Sequence, residues 1–444
     1  MSSRSWQADA VIPDNRAAAE LWWPVLQQAR WFQGKGRGGH LVGIRPLAWL
    51  VPPQAVVRVR PEIATVRYPD GGQESYQLLV GYRDRDGDEV AAEIGQIGNQ
   101  RVCDAPRDPE AMAALTSALL GAYTLEHADE RITVKVHKPL RERPLIRRWF
   151  GGQQSNTNVV LGDVAMLKIF RRLEIGVNLD IEVLDQLRSA GVQSVPDLYG
   201  WVEAEVSGEH LDLIAMTELL PDPHDGWQLA CDACAQGLDF AADAAALGQA
   251  LAEVHDGLVD TATSRSGDQL ADALEAHLAQ ALTVAPVLAE HADGLRTVFA
   301  GLRGRMIEVQ RIHGDFHLGQ TLRTAQGWRI IDFEGEPLRP MSERRLPDSC
   351  WRDVAGMLRS FGYAASAAGT GNESWVAVAR KAFLTAYRDR RAMAADPTVL
   401  AAYEADKAMY EVVYETRNRP DWVPIPLETI AQLSTAQAVE ERKN

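Results

Sequence analysis

The sequence predicts an α+β protein in three parts: a small strand-rich domain, an antiparallel sheet carrying one helix, and a long helical remainder. Three observations carry this. Short alternating apolar segments separated by Asp-Gly turns fill residues 55–95, the pattern of hairpins. A second set of strand-length apolar runs over 132–221 is interrupted by a single helical stretch. From about residue 226 apolar residues recur mostly at helical spacing.

In chain order, AAAELWWPVLQQARWF (17–32) has the pattern of an amphipathic helix, and the basic GKGRGG after it reads as a loop. Strands are expected at AVVRVR (55–60), ATVRYPD (64–70), ESYQLLVGYRD (74–84) and EVAAEIG (89–95). Asp70-Gly71-Gly72 and Asp86-Gly87 turn the chain between them. Residues 108–123 return to a helical pattern, and ITVKVHKPL (132–140) is a further strand. Residues 1–135 are thus expected to form the first domain. In residues 136–225, RERPLIRRWFGGQQSNTNVVLGDVAMLKIFRR (141–172) reads as two strands joined by a polar turn. NLDIEVLDQLRSAG (178–191) reads as a helix, and VPDLYGWVEAE (195–205) and HLDLIAMTELLP (210–221) as strands. Residues 226–444 form the helical part, with helices over 241–260, 268–310 and 373–393.

A chain of 444 residues with 46% hydrophobic and 24% charged residues has ordinary globular composition. Its net charge of -15 argues against a nucleic-acid or anionic-membrane partner, whose phosphates it would repel. The four cysteines, Cys103, Cys231, Cys234 and Cys350, imply no disulfide framework and fit a reducing compartment. Cys231 and Cys234 have CxxC spacing, but no second pair follows, so they read as neighbours on a helix turn. The first residues show no secretory apolar region, and no run of eighteen apolar residues occurs. A cytoplasmic protein is expected.

The stretch with the most chemistry is HGDFHLGQT (313–321). A zinc helix would need a third ligand and, for a hydrolase, a glutamate beside a histidine, and Gly314 and Gly319 disfavour a helix here. A long helix ending in EVQRI is expected before it, and GWRIIDF after it reads as a strand delivering Asp332. Asp315 is followed at i+5 by Gln320, then by a hairpin, then by Asp332 in D-F-x-G. That order is the protein-kinase-like arrangement of a catalytic aspartate, an amide ligand and a second carboxylate, with Gln in place of Asn. The aspartate accepts or orients the proton of the attacking hydroxyl. The amide oxygen and the carboxylate suit Mg²⁺, as imidazoles do not. His313 and His317 become hydrogen bonders that support the loop.

A kinase-like site also needs a phosphate-binding lysine. VAMLKIF places Lys168 on a strand, and Glu182, fourteen residues on, lies on the next helix as its partner. The turn QQSNTN, with Ser155, offers hydroxyls and amides to phosphate, and Met216, Thr217 and Glu218 are the adenine-facing hinge candidates.

HGDFHLGQTLRT, GWRIIDFEGEP, RRLPDSCWRDVAGMLRSFGYAA, RWFQGKGR, QSNTN…LKIFRR and the C-terminal AAYEADKAMYEVVYETRNRPDWVPIPL resemble the actinobacterial maltokinases and their glucosamine-kinase relatives, within the aminoglycoside-phosphotransferase-like kinases. The resemblance spans nearly the whole chain. It implies a bilobal kinase-like fold, with an antiparallel-sheet N-lobe, a helical C-lobe and an N-terminal cap domain. It implies ATP and Mg²⁺, Asp315 as catalytic base, Lys168 on the ATP phosphates, and Gln320 and Asp332 on the metal, with Glu334 as a further contact. Asp353 would brace the catalytic loop.

The sugar site is expected on the C-terminal helix. Asp406, Tyr410, Tyr414 and Arg417 share one face, and Glu404, Glu411 and Glu415 lie towards another. Carboxylates and an aromatic platform are what a polyol pocket uses. The candidate contacts are His317, Glu411, Tyr414, Glu415, Arg419 and Trp422, beside Asp315. Gln33, Gln153, Gln154, Asn418 and Asp421 depart from the maltokinase pattern. They tilt the expectation from maltose towards glucosamine, phosphorylated on its 6-hydroxyl. Maltose phosphorylated on its anomeric hydroxyl is the alternative. An aminoglycoside kinase, or a non-catalytic subunit docking a glucan-pathway enzyme, fits the motifs less well.

Overall fold

The computed structural model describes residues 2–3, 15–85, 91–140, 146–150, 156–259, 263–336 and 341–441. The chain divides into two compact units, Met1–Glu182 with Pro196–Pro221 and Val183–Val195 with Asp222–Asn444.

The first unit holds two sheets. The chain opens with β1 (Ser2–Ser3) and α1 (Asn15–Gln28), which buries Trp22 and Leu26. One sheet then runs through β2 (His40–Pro46), β3 (Arg58–Arg67), β4 (Gln73–Asp84), β5 (Glu93–Ile97) and β6 (Gln100–Asp104), in the order β2-β3-β4-β6-β5. The strands expected at 55–60 and 64–70 are one, because Pro61 and Glu62 are accommodated inside β3. The Pro61 carbonyl accepts from Leu47 N at 2.9 Å. Buried Glu62 takes Arg60 Nε at 2.8 Å and Tyr82 OH at 2.5 Å. Gly71, at φ +84, supplies the left-handed residue of the turn into β4. The Asp86-Gly87 turn lies outside the described residues. Helix α2 (Pro109–Ala118) is capped by Asp108, which accepts from Glu110 N and Ala111 N and pairs with Arg83.

The other sheet follows with β7 (Tyr123–His127), β8 (Glu130–Val136), β9 (Ile146–Phe150), β10 (Thr157–Leu161) and β11 (Ala165–Ile169). After β12 (Arg172–Leu173) and α3 (Leu179–Ser189), it is completed by β13 (Leu198–Val206) and β14 (Glu209–Glu218). Its order is β1-β7-β8-β13-β14-β11-β10-β9. Two expectations change. Residues 141–172 supply three strands of this sheet, because Gly162, at φ +56, turns the chain and divides the run after the polar turn into β10 and β11. A boundary at 135 also cuts through the sheet, since β7 and β8 belong to it. The two sheets are joined covalently and by packing. Directly after β11 the chain crosses over, and β12 pairs with β4 (Arg172 opposite Tyr76, Leu173 opposite Ser75). Arg171, 1% exposed, is held by Asp104 at 3.0 Å, by Thr157 Oγ1 at 2.8 Å and by the Gln77 carbonyl, beneath the Trp31 ring. A guanidinium this buried needs all of these partners.

The second unit is mostly helical. It contains β15 (His224–Asp225), α4 (Gly226–Ala235), α5 (Ala241–Gly257), β16 (Thr263–Ser266), α6 (Gly267–Val284), α7 (Ala292–Ala300) and β17 (Met306–Val309). These are followed by β18 (Thr321–Thr324), β19 (Gly327–Ile330), α8 (Met341–Arg344), α9 (Trp351–Ala367), α10 (Glu373–Arg391), α11 (Pro397–Asn418) and α12 (Pro424–Glu441). The helix expected over 268–310 is broken. Pro286 ends α6 and starts a 3-10 turn, Gly304 at φ +73 reverses the chain, and EVQ leads out of a strand paired with β16. The residues before the catalytic loop are therefore β17. Phe361 packs edge to face against Phe240, Trp375 and Phe383 in the core of this unit.

Candidate active site

The loop between β17 and β18 is fastened to one face of α9 at three points. Asp353 accepts from His313 N at 2.7 Å and Gly314 N at 2.9 Å. The Phe316 carbonyl lies where a Cβ on Gly356 would meet it at 2.4 Å, so only glycine fits there. Ser360 Oγ accepts from Leu318 N at 3.1 Å. Positions 353, 356 and 360 are one helical stripe. Gly314 itself stands at φ +85, where a side chain would be strained. His313 donates from Nε2 to the Ile331 carbonyl at 3.1 Å, which leaves Nδ1 to accept from Asp315 N at 3.3 Å. His317 Nδ1 accepts from Gly319 N at 3.1 Å. Both histidines thus hold the loop in shape.

Asp315 is presented by this loop. Burial disfavours its charged form, but Lys407 and the two histidines outweigh that and hold the carboxyl below its ordinary range. Lys407 Nζ donates to Asp315 Oδ1 at 3.2 Å and lies 4.0 Å from Glu336 Oε1. Burial works against the lysine's charge too, but Asp315 and Glu336 raise its pKa, so it is an ammonium. Behind the loop, Asp353 also takes His255 Nε2 at 3.0 Å, and His255 Nδ1 meets the Tyr387 hydroxyl at 2.8 Å. Burial opposes both charges, yet His255 holds Asp353 below its ordinary range, and Cys350, Tyr387 and Asp353 together hold His255 well above its own.

The β18–β19 hairpin brings together the two expected metal groups. Gln320 Nε2 donates to Asp332 Oδ2 at 3.2 Å. Asp332 stands at φ +67, in the left-handed region. An amide and a carboxylate in contact form an oxygen donor set suited to Mg²⁺. Glu334 lies two residues on, and its backbone carbonyl accepts from Arg344 at 3.3 Å. Asp332→Ala is expected to remove the Mg²⁺ dependence together with the activity, checked by Mg²⁺ titration of nucleotide-dependent turnover. Turnover that still saturates with Mg²⁺ as before would take Asp332 out of the metal set.

In the first unit, Lys168 lies on β11, and its ammonium pairs with Asp180 Oδ2 at 2.9 Å. Asp180, in the first turn of α3, is two residues before the expected Glu182 and is nearly buried, whereas Glu182 is half-buried. Met216, Thr217 and Glu218 lie within β14, a central strand paired on both sides with β11 and β13. Glu218 N donates to the Asp197 carbonyl and Leu219 N to the Val164 carbonyl. Ser155 lies outside the described residues, as do Gln153 and Gln154. Gln33 accepts from Arg172 at 3.0 Å within the first unit.

The second unit contains a cavity of about 360 Å³ with Asp315 on its wall. Its polar lining includes Glu336, Arg352, Tyr403, Asp406, Lys407, Tyr410 and Arg417. The sugar contacts expected from the sequence divide accordingly. Asp406, Tyr410 and Arg417 line this cavity, whereas Tyr414 is 42% exposed and does not. Glu411 is bound by Arg359 at 2.7 Å, and Glu415 by Arg419 at 2.7 Å. Trp422 stacks on Tyr363 and is covered by Arg419. Glu411, Glu415, Arg419 and Trp422 are thus engaged with one another and with α9, outside the cavity wall. Sequence reasoning missed Lys407, Glu336, Arg352 and Tyr403. The available signal was spacing: Tyr403, Asp406, Lys407, Tyr410 and Arg417 recur at three, four and seven residues, one stripe of α11.

Among the described residues, no helix is long and apolar enough to cross a membrane. Cys231 and Cys234 lie on α4, and buried Cys234 contacts Thr370 Oγ1 at 3.2 Å. Among the described residues, the one cluster with metal-ligating spacing is Glu203, His210 and Asp212, which does not include them.

An antiparallel-sheet unit carrying the lysine and a helical unit carrying the aspartate loop define a kinase-like phosphotransferase. Residues 148–395 match the phosphotransferase enzyme family, and the chain belongs to it. Residues 25–108 match the maltokinase N-terminal cap domain. The chain is 29% identical over 363 residues to a glucosamine kinase of Mycolicibacterium smegmatis, a match covering 72% of this chain and 87% of that one. It is 27% identical over 309 residues to a glucosamine kinase of Streptacidiphilus jiangxiensis, covering 62% and 70%. A solved glucosamine kinase in complex with glucosamine, ADP and inorganic phosphate has the same fold, with a TM-score of 0.68, 21% identity and coverage of 94% and 98%.

Proposed function

We propose that this chain is an ATP-dependent sugar kinase that phosphorylates glucosamine on its 6-hydroxyl. The observation that carries the reading is Asp315, kept ionised on the wall of a cavity that also presents Glu336 and Asp406. A carboxylate base serves a hydroxyl acceptor, and further carboxylates complement a protonated amine. The named glucosamine kinases similar over most of this chain support the same acceptor.

In this reading Asp315 accepts or orients the proton of the attacking hydroxyl, while His313, His317 and Asp353 hold the loop that presents it. Lys168, set by Asp180, holds the ATP phosphates. Gln320 and Asp332, with Glu334 nearby, would hold Mg²⁺, which when bound supplies charge neutralisation at the phosphate oxygens. The amine would meet Glu336 or Asp406.

Maltose is the second reading, favoured by the maltokinase-type cap domain. ADP release with ATP and Mg²⁺ across glucosamine, glucose, N-acetylglucosamine, maltose and an aminoglycoside, with NMR of the product, separates them. Glucosamine is expected to give the highest kcat/KM, with phosphate on O6. A higher kcat/KM for maltose, with phosphate on O1, would replace this reading by the second.

A further inference from the structure

The expected chemistry at Asp315 requires one carboxylate oxygen to face the acceptor hydroxyl. Its two oxygens are not equivalent. Oδ1 receives Lys407 Nζ at 3.2 Å, whereas Oδ2 lies 3.9 Å from His317 Nε2, beyond a hydrogen bond. Lys407 is itself held in place. One turn before it on α11, Glu404 is clamped by Arg380 with two contacts, at 2.7 and 3.1 Å. One turn after it, Glu411 is clamped by Arg359, again with two contacts, at 3.0 and 2.7 Å. A bidentate pair on one side and two guanidinium nitrogens on a single carboxylate oxygen on the other fix the rotation of the helix, and so the direction from which the ammonium reaches the loop.

We propose that Lys407 is a positioning residue for Asp315, binding Oδ1 so that Oδ2 is the oxygen that takes the acceptor hydroxyl's hydrogen. This rests on the kinase reading above. The acids Glu404 and Glu411 then act by anchoring α11, and Glu336, itself held by Arg352 at 2.7 Å, keeps the ammonium at the cavity wall.

The groups facing Asp315 decide the sign of the pH effect. Lys407 approaches from α11, and His313 and His317 from its own loop. Beyond these first neighbours lie Asp353 behind the loop, Asp332 near His317, and Glu336 against the lysine. Removing the lysine leaves burial less opposed, and the carboxyl takes up a proton more readily. Lys407→Met is therefore expected to lower kcat about 10- to 100-fold near neutral pH. It should move the acid limb of the kcat/KM profile to higher pH and leave the KM for ATP unchanged. Lys407→Arg should return the limb to its wild-type position and recover part of kcat. A Lys407→Met enzyme with an unmoved acid limb, its defect confined to the KM for the sugar, would make Lys407 a sugar contact and overturn the proposal. So would unchanged kinetics.

A second measurement does not need turnover. The stability difference between the wild type and Asp315→Asn, followed by thermal unfolding from neutral to acid pH, reports the carboxylate directly. It should favour the wild type at neutral pH and vanish as pH falls. The same difference in the Lys407→Arg background should persist, and in Lys407→Met it should shrink. If the wild type phosphorylates no sugar, the kinase reading fails, while this comparison still decides whether Lys407 governs Asp315. Equal differences in all three backgrounds would show that it does not.

Discussion

Asp315→Asn is expected to reduce kcat by about 10²- to 10⁴-fold, the usual contribution of a positioned general base. The substitution keeps the shape of the side chain, the loop contacts to Asp353, Gly356 and Ser360, and a polar partner for Lys407. It removes the ability to accept a proton. The KM for ATP should change little, and the unfolding midpoint at neutral pH should fall only modestly, since the lysine retains Glu336. Steady-state kinetics alongside thermal unfolding separates the two effects. A variant turning over within a few-fold of the wild type would refute the assignment of Asp315 as base.

The second large effect is expected at Asp353, which acts through the loop that presents Asp315. Its carboxylate accepts from two loop amides and from His255, all buried. Asp353→Ala leaves those donors without an acceptor and the histidine without its counter-charge. Breaking a buried charged pair in this way costs about 3–5 kcal/mol, to be read by denaturant unfolding. Turnover should fall as well, because the Asp315 loop loses its fastening. Loss of less than about 1 kcal/mol, the scale of one ordinary hydrogen bond, would show that the network does not hold the loop. The pH dependence follows from the two directions. Asp353 lies below its unfolded value of about 3.9, so its contribution is complete above that value and is lost as pH falls. His255 lies above its unfolded value of about 6.5, so its contribution is complete below that value and fades as pH rises through the folded pKa. The wild type should therefore lose stability relative to Asp353→Ala on both the acid and the alkaline side.

What the sequence revealed, and what it hid, follows one physical division. The loop was legible because its chemistry sits at short range: Asp315, Gln320 and Asp332 keep fixed spacings around glycines that permit one path of the chain. The D-x-x-G-x-x-x-S stripe of α9 was legible only in part. Asp353 was expected to brace the loop only through the family resemblance, and the need for glycine at 356 comes from a loop forty residues away. The partners of the acids of α11 were hidden for a related reason. Helical periodicity shows which side chains share a face, but not which arginine from another helix meets that face. Arg359 and Arg380 decide that Glu411 and Glu404 are anchors, while Lys407 between them, unremarkable in the sequence, reaches Asp315. The boundary expected at residue 135 falls inside β8 because strand pairing is not local: ITVKVHKPL reads as a continuation of the preceding strands, yet β8 pairs with β13.

The notch at Gly356 has a consequence for how this protein can change. The wall of the cavity proposed for the acceptor is made of side chains, each exchangeable for another of different size or charge, so on that reading the preference can be retuned one residue at a time. At Gly356 the loop is seated backbone against bare backbone, with no side chain to trade. Engineering of this enzyme thus has wide latitude in what it phosphorylates, and at residue 356 almost none in how the loop that does it is mounted.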